Sequence, residues 1–187
     1  MIKLTRGDLL SQHDVDAIVN TVNCVGVMGK GIALQFKHRW PANFAEYATT
    51  CKAGEVRLGR MFIHALGGLV RPHYIVNFPT KDHWRDASKI HFIEAGLGDL
   101  VAQVRRLGIC SIAIPPLGCG NGGLSWADVR PLIEAAFEPL PEVEVLLFEP
   151  TDSAQGLVGR ARSRSGLTEA QALDEADRQV DGVRRRP

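Results

Sequence analysis

Two glycine-rich turns constrain what this chain can fold into. Residues 20–34 and residues 114–124 each follow or overlap an apolar run typical of a β-strand, and each leads toward a helix-type run. Glycine lets a backbone approach a ligand closely, and the N-terminus of a following helix directs N–H groups at that ligand. Two such loops in one small domain predict a ligand with two phosphates, such as a nucleotide diphosphate, held from both sides.

Strand and helix patterns alternate around these turns. Strand-type runs cover residues 2–5, 17–22, 60–65, 74–78, 111–114 and 142–148, and helix-type runs cover residues 32–39, 42–51, 88–107 and 126–137. This alternation predicts an α/β sandwich with helices on both faces of a parallel or mixed sheet. Gly67 and Gly68 join the third and fourth strands as in a hairpin. Pro131 interrupts the last helix pattern, so that helix begins either near Trp126 or only at Pro131.

The composition changes after Pro150. Residues 152–165 are rich in Ser, Gly and Arg, which is typical of a linker, and residues 167–180 are weakly apolar. A chain of 187 residues is long enough for one domain with a proper core. We therefore expect one folded domain over residues 1–150, followed over residues 151–187 by a linker and a short helix or disordered tail.

The bulk composition excludes several classes of protein. A net charge of +1 gives no overall attraction to nucleic acid or membrane, so anion binding must come from the loops. The four cysteines form no CxxC pair, and no apolar run approaches the roughly 20 residues of a membrane span. The N-terminus has no apolar signal core. We expect a cytoplasmic monomer without a metal, a cofactor or a membrane contact.

Each turn resembles a standard nucleotide-binding motif but departs from it in spacing or in its place along the chain. Gly29-Lys30 resembles the end of a Walker A loop, but Cys24 stands where its first glycine belongs and Gly31 where its hydroxyl belongs. Residues 118–123 match the dinucleotide fingerprint, yet only one further strand follows, whereas a Rossmann fold needs several. We interpret the second turn as a phosphate loop in another fold, with a purely structural turn as the alternative.

Five side chains near the strand ends are candidates for chemistry. Asp8 either accepts from an exocyclic amine, such as that of adenine, or stabilises a turn. Asn20 and Asn23 either hold ribose hydroxyls or a water, or cap the loop backbone. Lys81 is a nucleophile or base if its cleft is partly dry, and otherwise a solvated loop residue. Cys119 is a nucleophile or, as we favour, a small buried filler.

These segments together resemble the macrodomain family over about residues 1–150. The resemblance rests on Gly7-Asp8-Leu9, residues 17–23, residues 28–33 and residues 114–124, in that order. It implies a three-layer α/β/α fold with a mixed, roughly six-stranded sheet that binds ADP-ribose. Within the family, residues 23–37 and 77–85 look most like the DarG-type antitoxin macrodomains, which remove ADP-ribose from thymidine bases of single-stranded DNA and so reverse the DarT toxin.

The resemblance also implies roles for individual residues. Lys81 would be catalytic, Asn23 would position the distal ribose or the nucleotide, and Asp8 and Leu9 would hold adenine. His83, Trp84 and Arg85 are candidates for DNA contact, with ordinary surface residues as the alternative. Further ligand contacts are implied for Asn20, Gly29, Lys30, Gly31, Ile32, Thr80, Pro116, Gly118, Cys119, Gly120, Asn121, Gly122, Gly123 and Leu124.

A related branch of the family pairs its lysine with an aspartate in the second glycine loop. Residues 121–123 contain no acid, so Lys81 is expected to act with Asn23, a water and groups of the substrate itself. Family antitoxins contact the DarT-type toxin through a further C-terminal domain that lies beyond these residues. A non-catalytic ADP-ribose-binding module and a hydrolase of ADP-ribosylated protein are the alternative functions.

Overall fold

Six strands and four α-helices alternate along residues 1–150, the part of the chain that the computed structural model describes. The predicted linker and tail over residues 151–187 lie outside the described residues. The elements are β1 (Ile2–Thr5), β2 (Ala17–Val22), α1 (Gly31–Arg39), α2 (Pro41–Lys52), β3 (Phe62–Ala65), β4 (Tyr74–Pro79), α3 (Ile90–Leu107), β5 (Ser111–Ile114), α4 (Trp126–Phe137) and β6 (Glu144–Phe148), with a short 3-10 helix at Leu9–Ser11.

The strands form one mixed sheet in the order β1-β6-β5-β2-β4-β3. Every pair is parallel except β3 and β4, which are antiparallel, as the predicted hairpin through Gly67 and Gly68 requires. The central strand β2 is almost entirely buried because helices cover both faces of the sheet. Among residues 1–150, no helix is both long enough and apolar enough to span a membrane.

The alternation of side chains along β2 separates the two helical layers. Ala17 and Val19 join one apolar cluster with α3 and α4, whereas Ile18 joins another with Phe36 of α1. In α3 the buried positions recur at three- and four-residue steps, which is the helical period predicted for this segment. The predicted sandwich of helices on both faces of a mixed sheet is therefore observed.

Several element boundaries differ from those expected or decide between two expected ones. The helix start at Pro131 is wrong, because α4 begins at Trp126 and holds Pro131 on its exposed side while its other face packs into the core. The last strand begins at Glu144, since the Val143 N–H bonds to the carbonyl of Leu140 in a turn. The third strand begins at Phe62, because the preceding N–H, that of Met61, donates to a carboxylate of Asp99 at 2.6 Å.

The topology brings three loops to one edge of the sheet. Strands β2, β4 and β5 are parallel neighbours, so their carboxyl ends meet at the same edge. The loop after β2 and the loop after β4 are joined there, since the Thr80 N–H donates to Val22 and the Cys24 N–H donates to Asp82. Both predicted glycine turns and Lys81 emerge at this edge.

Candidate active site

Asn23 organises the first glycine loop, which we define as residues 23–30. Its Oδ1 accepts from the backbone N–H groups of Val25 at 3.0 Å and Val27 at 3.2 Å, and its Nδ2 donates to the Val27 carbonyl at 2.6 Å. The side chain is 6% exposed. Asn23 therefore caps the loop backbone, which was one of its two predicted roles, and lies at the edge of the sheet where the other was expected.

Asn20 lies below this loop in a buried cluster of amides. Its Nδ2 donates to Oδ1 of Asn77 at 3.0 Å and lies 3.9 Å from the sulfur of Met28, a fully buried residue of the loop. Its Oδ1 has no partner within residues 1–150. The amide supports the loop from beneath, and its predicted contact with a ligand stays a prediction.

Helix α1 begins immediately after the first glycine loop. Gly31 is its first residue, with a positive φ of 57°, and the N-cap Lys30 makes no side-chain capping bond. The N–H groups of Gly31, Ile32 and Ala33 stand in the first turn, where a helix offers them no acceptor. Because these groups carry the positive end of the helix dipole, this turn can bind an anion such as a phosphate.

The second glycine loop, residues 116–124, is built from tight turns. The N–H of Cys119 donates to Pro116, and that of Leu124 donates to Gly118. For Gly120, Asn121 and Gly122 the backbone N–H groups have no acceptor within residues 1–150. Three successive amides of this kind form a second potential anion site.

Ser88 supports the second glycine loop, and we did not identify it from the sequence. Its N–H donates to the Gly122 carbonyl at 3.0 Å, and its buried Oγ has no partner within residues 1–150. Helix α3 begins at Ile90 and not at Ser88 as expected, because the backbone of the N-cap residue Lys89 is extended. Nothing in the sequence indicates this contact, since a polar residue near the start of a helix resembles an ordinary N-cap.

Lys81 reaches from the end of β4 into the second glycine loop. Its Nζ donates to the Asn121 carbonyl at 2.7 Å. The Asn121 side chain in turn lies over the start of α1, with Nδ2 only 3.3 Å from where a Cβ on Gly31 would stand. Lys81 and the two glycine loops therefore belong to one site, with buried Thr80 directly before the lysine.

The cysteines at this site are poor nucleophiles. Burial, and to a lesser extent Asp128, raise the pKa of Cys119 to about 12, and the residue is 2% exposed. Burial and the nearby Asp82 raise the pKa of Cys24 to about 12 as well. Both are neutral thiols near pH 7, and the thiolate is the reactive form. This favours the interpretation of Cys119 as a buried filler.

His83, Trp84 and Arg85 form a cluster of neighbouring side chains shortly after Lys81. The guanidinium of Arg85 lies 4.5 Å from the centre of the Trp84 ring, and the centres of the His83 and Trp84 rings are 5.4 Å apart. Trp84 is 44% exposed. An exposed ring beside a cation is the kind of surface on which a nucleobase can stack.

Asp8 and Leu9 lie at the start of the 3-10 helix. The carboxylate of Asp8 accepts from the Leu10 N–H and from the Ser11 hydroxyl, both at 2.9 Å, so it acts as a cap. Leu9 is buried, and Asp8 borders an open depression of about 600 Å³ toward α1. Within residues 1–150 there is no cluster of His, Cys, Asp or Glu that could hold a metal.

Comparison with known proteins identifies the family. Residues 19–133 match the model of the Macro domain family. A "DNA ADP-ribosyl glycohydrolase" of Mycobacterium tuberculosis is 52% identical over 159 residues, which are 85% of this chain and 45% of that relative. The chain thus spans less than half the length of this relative.

Two solved structures share the fold. The macrodomain of Mycobacterium tuberculosis DarG matches with a TM-score of 0.79 and 54% identity, over 81% of this chain and 99% of that one. Thermosipho africanus DarTG in complex with ADP-ribose matches with a TM-score of 0.71 and 32% identity, over 79% of this chain and 41% of that one. The predicted resemblance to DarG-type macrodomains and the predicted sandwich fold are confirmed. The chain belongs to the macrodomain family.

Proposed function

We propose that this chain is a DNA ADP-ribosyl glycohydrolase, which removes ADP-ribose from thymidine bases of single-stranded DNA and so reverses a DarT-type toxin. The observation that carries the proposal is the 2.7 Å bond from Lys81 Nζ to the Asn121 carbonyl, because it holds a primary amine on the residue whose side chain reaches the start of α1. The assignment of the substrate is supported by the name of the mycobacterial relative and by the ADP-ribose bound to the Thermosipho protein.

In the proposed reaction the amides at the start of α1 and in the second glycine loop bind the diphosphate. The anomeric carbon of the distal ribose then faces Lys81. The lysine amine either attacks this carbon or stabilises the groups around it, while the ribose ring gains oxocarbenium character. The bond between this carbon and the thymine nitrogen breaks, and a water near Asn23 supplies its hydroxyl to the carbon and its proton to the leaving nitrogen, which releases ADP-ribose and the unmodified base. Holding the diphosphate fixes the orientation of the reacting atoms, which can contribute more than a single acid–base group.

The other contacts follow from this placement. Asp8 and Leu9 would hold adenine at the far end of the ligand, and His83, Trp84 and Arg85 would stack on and attract the DNA strand. We take residues 1–150 as the macrodomain that performs the reaction, as a monomer in the cytoplasm. A contact with the toxin would use a C-terminal region of the kind found in the longer relatives.

The test is release of ADP-ribose from a thymidine-ADP-ribosylated single-stranded oligonucleotide. Lys81→Ala is expected to slow release by at least about 100-fold, because the reacting amine is lost, while ADP-ribose affinity measured by calorimetry changes little. Lys52→Ala is the matched control, since it removes an exposed lysine at the end of α2.

Other outcomes would assign a different function. If the wild type binds ADP-ribose but releases none from DNA, the chain is either a binding module or a hydrolase of ADP-ribosylated protein. An ADP-ribosylated peptide, assayed in parallel, separates those two alternatives. Equal release by wild type and Lys81→Ala would keep the substrate but contradict the role of Lys81.

A further inference from the structure

One face of helix α2 contacts both the strand that leads to Lys81 and the loop that holds Asn23. Asn43, Tyr47 and Cys51 are its buried residues, and they follow one another at four-residue steps. Asn43 accepts from Nδ2 of Asn77 at 2.7 Å, in β4, the strand that leads to Lys81. Tyr47 and Cys51 lie beneath the first glycine loop. The helix is therefore placed to set the position of that loop relative to β4.

Tyr47 makes the direct contact with Asn23. Its hydroxyl donates to the Asn23 carbonyl at 2.5 Å and lies 3.2 Å from Asn23 Oδ1, and the ring is fully buried. Burial, followed by the nearby Cys51 thiol, raises the pKa of Tyr47 well above its ordinary value. The hydroxyl therefore stays protonated and remains a donor at physiological pH.

The loop backbone packs closely against the same face of α2. At Gly26, where φ is +81°, a Cβ would stand 3.3 Å from Cys51 Cβ and 3.4 Å from the Cα of Ala48. A side chain here would push the loop away from the helix. The close approach holds Asn23 within reach of the Tyr47 hydroxyl.

These bonds determine what Asn23 can offer a ligand. Its Oδ1 accepts from two backbone N–H groups, so its two lone pairs are occupied, while the single proton of the Tyr47 hydroxyl goes to the Asn23 carbonyl. One hydrogen of Nδ2 bonds to the Val27 carbonyl, which leaves the other. The two backbone N–H groups on this oxygen also fix the orientation of the side-chain amide, because in the flipped orientation the NH2 group would face both of them.

We propose that Tyr47 is a positioning residue that holds Asn23 so that its amide presents one N–H, and no acceptor, to the bound ADP-ribosyl group. This inference rests on the proposed function, because it names the role of Asn23 at that site. The N–H would donate to an oxygen of the distal ribose or of the attached base. Asn23 would then orient the substrate without acting as a base.

The kinetic test compares two tyrosine variants that lose the same atom. Tyr47→Phe keeps the ring and removes the hydroxyl, and Tyr74→Phe does the same at the other end of β4, away from the site. Single-turnover release by Tyr47→Phe is expected to fall about tenfold or more while the Kd for ADP-ribose stays within about threefold. Tyr74→Phe is expected to match the wild type. Wild-type release by Tyr47→Phe would overturn the proposal.

The NMR signal of the Asn23 side-chain amide gives a test that does not depend on activity. The signal is assigned by its loss in Asn23→Ala. In the wild type, ADP-ribose is expected to shift one proton of the pair strongly, and in Tyr47→Phe the pair is expected to move toward ordinary values before ligand is added. An unchanged pair in Tyr47→Phe would overturn the proposal. An inactive wild type would overturn the proposed function, and this spectrum would still decide the role of Tyr47.

Discussion

Gly122 in the second glycine loop has no room for a side chain. A Cβ there would stand 2.3 Å from Ser88 Oγ and 2.4 Å from the Gly118 carbonyl oxygen. Since a backbone atom cannot give way cheaply, Gly122→Ala must displace the loop, and overpacking of this kind costs about 1–3 kcal/mol. We expect the variant to bind ADP-ribose at least about tenfold more weakly, measured by calorimetry.

Gly120→Ala is the control for that prediction. A Cβ at Gly120 meets nothing within 4 Å, and the residue is exposed in the same loop. Because the loop itself keeps its place in this variant, its loss of affinity for ADP-ribose is expected to be smaller than that of Gly122→Ala. Equal loss of affinity in both variants would show that the loop tolerates no Cβ and that the contact with Ser88 is unimportant.

At the scale of the element, α3 fixes the strand end that carries Lys81. The Phe78 ring of β4 lies against Gly96, where a Cβ would come within 2.2 Å of ring carbon Cζ. Gly96→Ala would force the ring, three residues before Lys81, out of its place. We expect about 1–3 kcal/mol less stability in urea unfolding and slower release of ADP-ribose.

For Gly98 in the same helix we expect the opposite effect on stability. It is exposed, and a Cβ there meets nothing within 4 Å. Because glycine is a poor helix former, Gly98→Ala is expected to raise the free energy of unfolding by about 0.5–1 kcal/mol and to leave release unchanged. Destabilisation by this variant as large as that of Gly96→Ala would contradict the role assigned to the Phe78 contact.

The elements could be predicted from the sequence because their signals are local. The apolar period of α3 and the buried runs of β2 and β5 lie within single segments, and the strand patterns of β2 and β4 place Asn23 and Lys81 at strand ends. The contacts of Ser88 with Gly122 and of Tyr47 with Asn23 join residues more than 20 positions apart. No spacing rule predicts such pairs, so these two contacts could be identified only from the structure.

The whole molecule carries a pH dependence through its buried thiols. The pKa of Cys119 is about 12 in the folded chain and about 9 for an ordinary thiol. The folded state therefore holds this proton more tightly, and the resulting stability is complete below about pH 9 and lost as pH rises toward 12. Over that window the group contributes a fall of about 1.4 kcal/mol per pH unit in the free energy of unfolding.

Urea unfolding between pH 8 and pH 10.5 measures this contribution. Cys119→Ala is expected to flatten the decline above pH 9, while Cys110→Ala, which removes an exposed thiol, is expected to keep it. The slope is the informative quantity, because Cys119→Ala also lowers stability at every pH through lost packing. Identical slopes for wild type and Cys119→Ala would show that this thiol does not control alkaline unfolding.

The internal bonds of Asn23 also bear on how fast a ligand can be captured. A loop that its own side chain already holds in place needs little ordering when ADP-ribose arrives, so the entropic cost of binding is small. Capture is then governed by diffusion and orientation, with no slow rearrangement of the protein beforehand. Differences in affinity between related ligands would consequently reside in how long each one stays bound.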